Sequence, residues 1–336
     1  MRSEKIEGGT GTGKGDGSSR PAAVVAVMRG GALGDFVLTL PAISALRLAH
    51  PEARLVLLAH PQYAPLAGAD DVCDIGSAEL APLFAEDATP GTRLRSLLGG
   101  IDLMLAYSTD TTGALPSNLA RLVSGRVVVA DPRPDAAEHR HQALHLAAPL
   151  AALGVPVRSL VPRVRLAANP ALRRARRTRD TALPAGPRPR VLLHPGSGGR
   201  RKRWPVACFA ALATGLRQRG LAVEVVCGPA ETDLELSWAE PVARPASPLE
   251  LAMVLQSADL VVAGDCGPAH LAAAVGTRTL ALFGPTEPSI WRPLAPWALA
   301  LRAPTGVLAD LPVDCVLEAA QELLWSPHPG LVSDDA

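Results

Sequence analysis

Apolar residues along this 336-residue chain gather in short runs that break at glycine- and proline-rich turns, and stretches of helical spacing follow most of the runs. The clearest unit spans Val261 to Pro285, VVAGDCGPAHLAAAVGTRTLALFGP. Val261, Val262 and Ala263 close a continuous apolar run of strand type, and Gly264-Asp265-Cys266-Gly267-Pro268 breaks it with residues suited to a turn or a helix start. Ala269 to Val275 continues as helix, Thr279 to Phe283 returns as a strand, and Gly284-Pro285-Thr286-Glu287-Pro288 opens a second loop. Continuous rather than alternating apolar strands are those of a parallel sheet covered on both faces.

The same alternation recurs through the chain. In the first half the pattern predicts a strand over Ala22–Met28, a helix over Phe36–His50 and strands at Arg54–Ala59 and Val72–Ile75. It then predicts a helix at Arg93–Leu98, a strand at Ile101–Tyr107, a helix at Thr112–Val123 and a strand at Arg126–Ala130. Residues 161–187 shift to proline and arginine and read as a linker. Beyond them, Pro189–His194 and Leu221–Cys227 read as strands, with helices at Val206–Arg219 and Leu249–Gln256. The expected organisation is a disordered tail at 1–20, an N-terminal Rossmann-like domain at 21–160, the linker, and a C-terminal Rossmann-like domain at 188–336. The length favours two domains independently of the pattern.

Composition narrows the function classes. A net charge of +1 gives no bias toward nucleic acid. The five cysteines form no CxxC pair and no disulfide-like spacing, which fits a reducing cytoplasm and argues against structural zinc. No apolar run reaches the roughly 18 residues of a membrane helix, and the amino terminus lacks the apolar core of a signal peptide. The expectation is a soluble, cytoplasmic protein, peripheral at most on the cytoplasmic membrane face.

Candidate chemistry sits where the strands end. After the first strand, Arg29-Gly30-Gly31-Ala32-Leu33-Gly34-Asp35 departs from the dinucleotide spacing GxGxxG, and the next strand ends at His60 with no acid for a ribose. A dehydrogenase is therefore disfavoured. Asp35 has two readings that the spacing leaves open: a helix cap, or a carboxylate base on a rigid turn facing a cleft. The loop Pro195-Gly196-Ser197-Gly198-Gly199-Arg200-Arg201-Lys202-Arg203-Trp204-Pro205 suits a diphosphate, with backbone N–H groups and Ser197 bonding its oxygens and Lys202 offsetting its charge. An exposed basic loop is the plainer alternative. Glu231, after Gly228-Pro229-Ala230, fits either a helix cap or a contact with ribose hydroxyls.

Two further patterns carry less. Gly8 to Lys14 matches the front of a P-loop, but Gly15 stands where Ser or Thr would bind magnesium and no strand precedes it. His139, His141 and His145 lie close together, but without an HExxH glutamate or a third ligand they read as solvated or interdomain histidines rather than metal ligands.

Taken as an ordered set, Gly34-Asp35, His194-Pro195-Gly196-Ser197 through Lys202-Arg203-Trp204-Pro205, Gly228-Pro229-Ala230-Glu231, Asp265-Cys266-Gly267-Pro268-Ala269-His270 and Phe283-Gly284-Pro285-Thr286 resemble glycosyltransferase family 9, the ADP-heptose:lipopolysaccharide heptosyltransferase group. The resemblance implies an α/β GT-B architecture, two Rossmann-like doubly wound domains facing a central cleft, with acceptor on the first and nucleotide sugar on the second. It implies metal-independent, inverting transfer from a nucleotide diphosphate sugar, ADP-linked by preference, to a saccharide or glycolipid acceptor, with no cofactor beyond the donor substrate. Carried over by position, Asp35 would be the base, Ser197 and Lys202 would hold the diphosphate, Glu231 the ribose, and Asp265 the donor sugar, while Gly267 and His270 would complete a phosphate site at the helix terminus. The family usually has Ser or Thr where this chain has Cys266, which leaves room for a different donor or for a nucleotide-sugar-binding protein without catalysis.

Overall fold

The computed structural model describes residues 23–86, 89–110, 112–134, 139–166, 188–228, 231, 239 and 241–327. The expected tail at 1–20 with its P-loop-like stretch, residues 167–187 of the expected linker, and Pro229 and Ala230 lie outside the described residues.

Two parallel sheets form from the apolar runs. The first contains β1 (Val24–Arg29), β2 (Arg54–Ala59), β3 (Asp71–Asp74), β4 (Leu103–Tyr107) and β5 (Arg126–Ala130), in the spatial order β3-β2-β1-β4-β5. The second contains β6 (Arg190–His194), β7 (Ala222–Val226), β8 (Val242–Ala243), β9 (Leu260–Gly264), β10 (Arg278–Phe283) and β11 (Ala298–Arg302), in the order β11-β10-β9-β6-β7-β8. Every recorded pairing is parallel. In each sheet the strand order reverses beside its first strand, between β1 and β4 and between β6 and β9. Such reversals open a crevice at the carboxyl ends of the strands, the usual ligand position in open α/β sheets.

The strands are apolar on both faces because helices cover both. In β1, Val25 and Val27 pack into one cluster while Ala26 and Met28 pack into another on the opposite face. In β9, Val261 and Ala263 divide from Leu260 and Val262 in the same way. The inner clusters of the two sheets are continuous with each other. The helices Leu33–Ala49 of the first half and Gly267–Ala274 of the second are packed together at their junction. Val164 ties the chain across, its N–H donating to the Ala274 carbonyl at 3.0 Å.

Most elements match the apolar pattern to within one or two residues. The helix expected from Thr112 begins at Ala114, because the Asp110 carboxylate accepts the N–H groups of Thr112 and Leu115 at 2.8 Å and holds the chain in a turn first. The Val313–Trp325 helix and β11 complete the second half and have no counterpart in the sequence reading. No helix among the described residues is long and apolar enough to cross a membrane.

Candidate functional site

On the first sheet, β1 delivers Arg29 to the crevice and the chain turns through Gly31 at φ +100° before the Leu33–Ala49 helix starts. Asp35 lies in the first turn of that helix. Its Oδ2 accepts the N–H of Ala32 at 3.1 Å, so the capping role is real. Its Oδ1 lies 3.3 Å from Arg29 Nη2, and the carboxylate keeps 37% of its side-chain exposure toward the cleft. Arg29 is only 5% exposed. Its Nε donates to Thr39 Oγ1 at 3.1 Å, and Thr39 Oγ1 donates to the Asp35 carbonyl at 2.8 Å. The guanidinium also stands 5.8 Å from the Tyr107 ring centroid. Burial pulls the Arg29 pKa down, and the charge of Asp35 opposes that pull. Tyr63 also borders the cleft, its ring 5.0 Å from that of Phe36 and tilted 33° to it, with its phenol pushed up by burial and then by Asp35.

The second sheet supplies the opposite wall. The Asp265 carboxylate, 8% exposed at the end of β9, accepts from Lys202 Nζ at 2.7 Å and from Thr286 Oγ1 at 2.8 Å. Ser197 Oγ donates to the Asp265 carbonyl at 3.2 Å. Lys202 therefore reaches the cleft already neutralised in part by Asp265. Glu231 Oε2 accepts the Gly228 N–H at 2.7 Å, and it fills the space beneath Gly196, where a Cβ would stand 2.4 Å from its side chain. Gly196 thus lets the β6 loop pass over Glu231. His194, buried beside it, bonds the Val226 carbonyl through Nδ1 at 2.9 Å, and burial pulls its pKa down.

The two walls meet at a pair of glycines. A Cβ on Gly34 would stand 3.3 Å from Gly267 Cα, so the first turns of the two helices touch backbone to backbone. His270 lies one turn in from Gly267, 5% exposed, with Nδ1 buried and without a hydrogen-bond partner. Burial pushes its imidazole down to about 4, so the ring is neutral near pH 7. Cys266 precedes the helix as its N-cap, and burial pushes its thiol up to about 12. All seven residues singled out in the sequence, Asp35, Ser197, Lys202, Glu231, Asp265, Gly267 and His270, border one cavity of about 730 Å³. That volume lies in the range of sites for drug-sized ligands.

The sequence profile of glycosyltransferase family 9 (heptosyltransferase) matches residues 119–320. The chain belongs to this family. Among curated proteins, lipopolysaccharide heptosyltransferase 3 of Escherichia coli is 28% identical over 297 residues, covering 77% of this chain and 83% of that protein. Among solved structures, a family 9 glycosyltransferase from Veillonella parvula superposes with a TM-score of 0.69 at 17% identity, covering 90% of this chain and 97% of that one. Heptosyltransferase WaaC of E. coli, solved with ADP, superposes with a TM-score of 0.65 at 19% identity, covering 89% and 99%. The family 9 architecture of two Rossmann-like sheets facing a cleft is therefore the fold of this chain.

Sequence reasoning missed Arg29, Thr39 and Thr286. Arg29 was visible as a cation closing a fully apolar strand, a position where burial requires a partner. Thr286 stood in the Phe283-Gly284-Pro285-Thr286 segment of the family resemblance, but only the fold brings the β10 loop to Asp265 and shows the bond between them. His141 turns out to bridge the halves, its Nε2 bonding the Arg292 carbonyl at 2.9 Å. Among the described residues no group of three or more His, Cys, Asp or Glu side chains stands together as a metal site.

Proposed function

We propose that this family 9 glycosyltransferase moves a sugar, heptose by preference, from an ADP-linked donor to a hydroxyl of a saccharide or glycolipid acceptor, with inversion and without a metal. The observation that carries the reading is the placement of Asp35 and of the Lys202–Asp265 pair on opposite walls of one cavity. Inversion needs a carboxylate on the face of the anomeric carbon opposite the departing diphosphate. Asp35, set on the acceptor side, would take the hydroxyl proton as the new C–O bond forms and the electron pair of the breaking bond leaves with the diphosphate.

The departing charge needs compensation. Lys202, Ser197 and the first turn of the Gly267–Ala274 helix offer cationic and N–H contacts, and the unpartnered Nδ1 of His270 offers one more polar group. Glu231 would meet the ribose hydroxyls, and Asp265 the hydroxyls of the sugar. The ADP preference is supported by the family resemblance and by the nucleotide in the WaaC structure. The reading also places the protein in the cytoplasm, at the membrane face where a glycolipid acceptor would be presented.

Asp35→Asn tests the assignment. With ADP-heptose and a lipopolysaccharide core acceptor, transfer should fall by at least about a hundredfold, the usual scale for a general base, while calorimetric binding of ADP stays unchanged. Transfer should persist in EDTA. A wild-type rate in Asp35→Asn removes the base, and metal-dependent turnover removes the metal-free mechanism. ADP binding by the wild type without turnover of any sugar nucleotide would favour a binding protein, the reading that the Cys266 substitution leaves standing.

A further inference from the structure

We propose that Arg29 is a positioning residue for this transfer, which fixes the Asp35 carboxylate in one orientation in the cleft. The inference rests on Asp35 as the base. Its own support is the arrangement behind Asp35, which a simple helix cap does not require.

A capping carboxylate needs one backbone N–H, and Ala32 supplies it to Oδ2. Oδ1 is held separately by a guanidinium that is almost wholly removed from water. Burying a guanidinium costs free energy unless its charge and donors are matched, so its place there demands a use. Thr39 closes the arrangement into a ring. It accepts from Arg29 Nε and donates to the carbonyl of Asp35 itself, so the orientation of the guanidinium is tied to the backbone that carries the base. The Tyr107 ring lies beside the guanidinium, and its hydroxyl is committed to the Leu146 carbonyl.

The groups that face Asp35 from its neighbours are few. Arg29 comes from β1, the Tyr63 phenol from the turn after β2, and His270 from the Gly267–Ala274 helix. Tyr63 is neutral near pH 7 and His270 is neutral for the reason given above. Among the described residues, Arg29 is thus the cation in contact with the carboxylate.

The consequence for the reaction is specific. Each carboxylate oxygen has one lone pair engaged, by Ala32 or by Arg29, and one left to receive a proton. The proton of the acceptor hydroxyl passes to Asp35, the acceptor oxygen bonds to the anomeric carbon, and the diphosphate departs with the electron pair of the broken bond. The contact with Arg29 keeps the carboxylate aimed at one point in the cleft.

The test is steady-state kinetics with ADP-heptose and a lipopolysaccharide core acceptor, beside calorimetric ADP binding and thermal midpoints. In Arg29→Gln kcat should fall at least about tenfold, because a misaimed group beside the reacting atoms loses rate steeply, while the KM for ADP-heptose and ADP binding stay unchanged. Arg29→Lys should recover part of kcat, since it restores a cation beside Asp35 without the bond to Thr39. Thr39→Val should give a smaller loss of kcat, and with Arg29→Lys it carries the test if Arg29→Gln does not fold. An unchanged kcat in every folded variant, or a loss of ADP affinity that matches the loss of kcat, overturns the role of Arg29. If Asp35→Asn transfers at full rate, it is the base assignment that fails instead.

Discussion

Gly34 and Gly267 hold the two halves of the protein in backbone contact: a Cβ on Gly267 would stand 3.0 Å from the Gly34 nitrogen and 3.0 Å from Leu33 Cβ. Neither obstacle is the free end of a flexible side chain, so Gly267→Ala must push the helices apart. Overpacking of this kind costs about 1–3 kcal/mol. The expected result is a lower thermal midpoint together with weaker ADP binding, read by calorimetry. Gly30→Ala is the control, since nothing lies within 4 Å of a Cβ there. Equal effects of the two substitutions would contradict the contact.

Gly31 makes room for the carboxylate. At φ +100° a side chain is strained, and its Cβ would stand 2.9 Å from Asp35 Oδ2. Gly31→Ala should therefore lose transfer activity, by about 5- to 150-fold from about 1–3 kcal/mol of strain and displacement, while ADP binding on the far wall is retained. Steady-state kinetics beside calorimetry will separate the two quantities.

Lys202 and Asp265 are expected to be strongly non-additive. Lys202→Met leaves a carboxylate that is 8% exposed with Thr286 as its remaining side-chain partner. Removing one partner of a buried pair costs about 3–5 kcal/mol, and the 37% exposure of Lys202 reduces this toward about 2 kcal/mol. Lys202→Met with Asp265→Asn should recover much of the lost stability without recovering activity. Denaturant unfolding of the four proteins in the cycle measures the coupling, and simple additivity would refute it.

Acid should destabilise the fold through His270. Its imidazole is pushed by burial from 6.5 to about 4, so between those values the unfolded chain binds a proton that the folded chain does not. Stability is then complete above about pH 6.5 and declines as pH falls toward 4, by a total on the order of 3 kcal/mol. His194 and His141, also shifted down by burial, act in the same direction. Thermal midpoints from pH 7.5 to 5 should fall less steeply in His270→Gln than in the wild type, and parallel curves would exclude His270 as a source.

The sheets were legible because parallel strands covered on both faces are written as uninterrupted apolar runs, and Val261–Ala263 and Arg54–Ala59 are such runs. Strand-end loops were legible for a related reason, since Gly34-Asp35 and Asp265-Cys266-Gly267 interrupt those runs with polar and glycine residues. What stayed hidden depends on contacts between distant segments. The Thr286 bond to Asp265 joins two loops through the pairing of β9 with β10, and the Gly34–Gly267 contact joins two sheets. The β11 strand was missed for a local reason, because its burial is only intermediate and its pattern correspondingly weak.

The shared inner core has a bearing on engineering this chain. Val25 and Val27 of one sheet and Val261 and Ala263 of the other belong to a single apolar body. A chimaera that grafts the C-terminal half of a relative onto this N-terminal half would cut through that body and mismatch side chains along the seam. Exchange of donor preference is thus better sought by replacing the loops after β6 and β7, which leave the Gly34–Gly267 contact untouched.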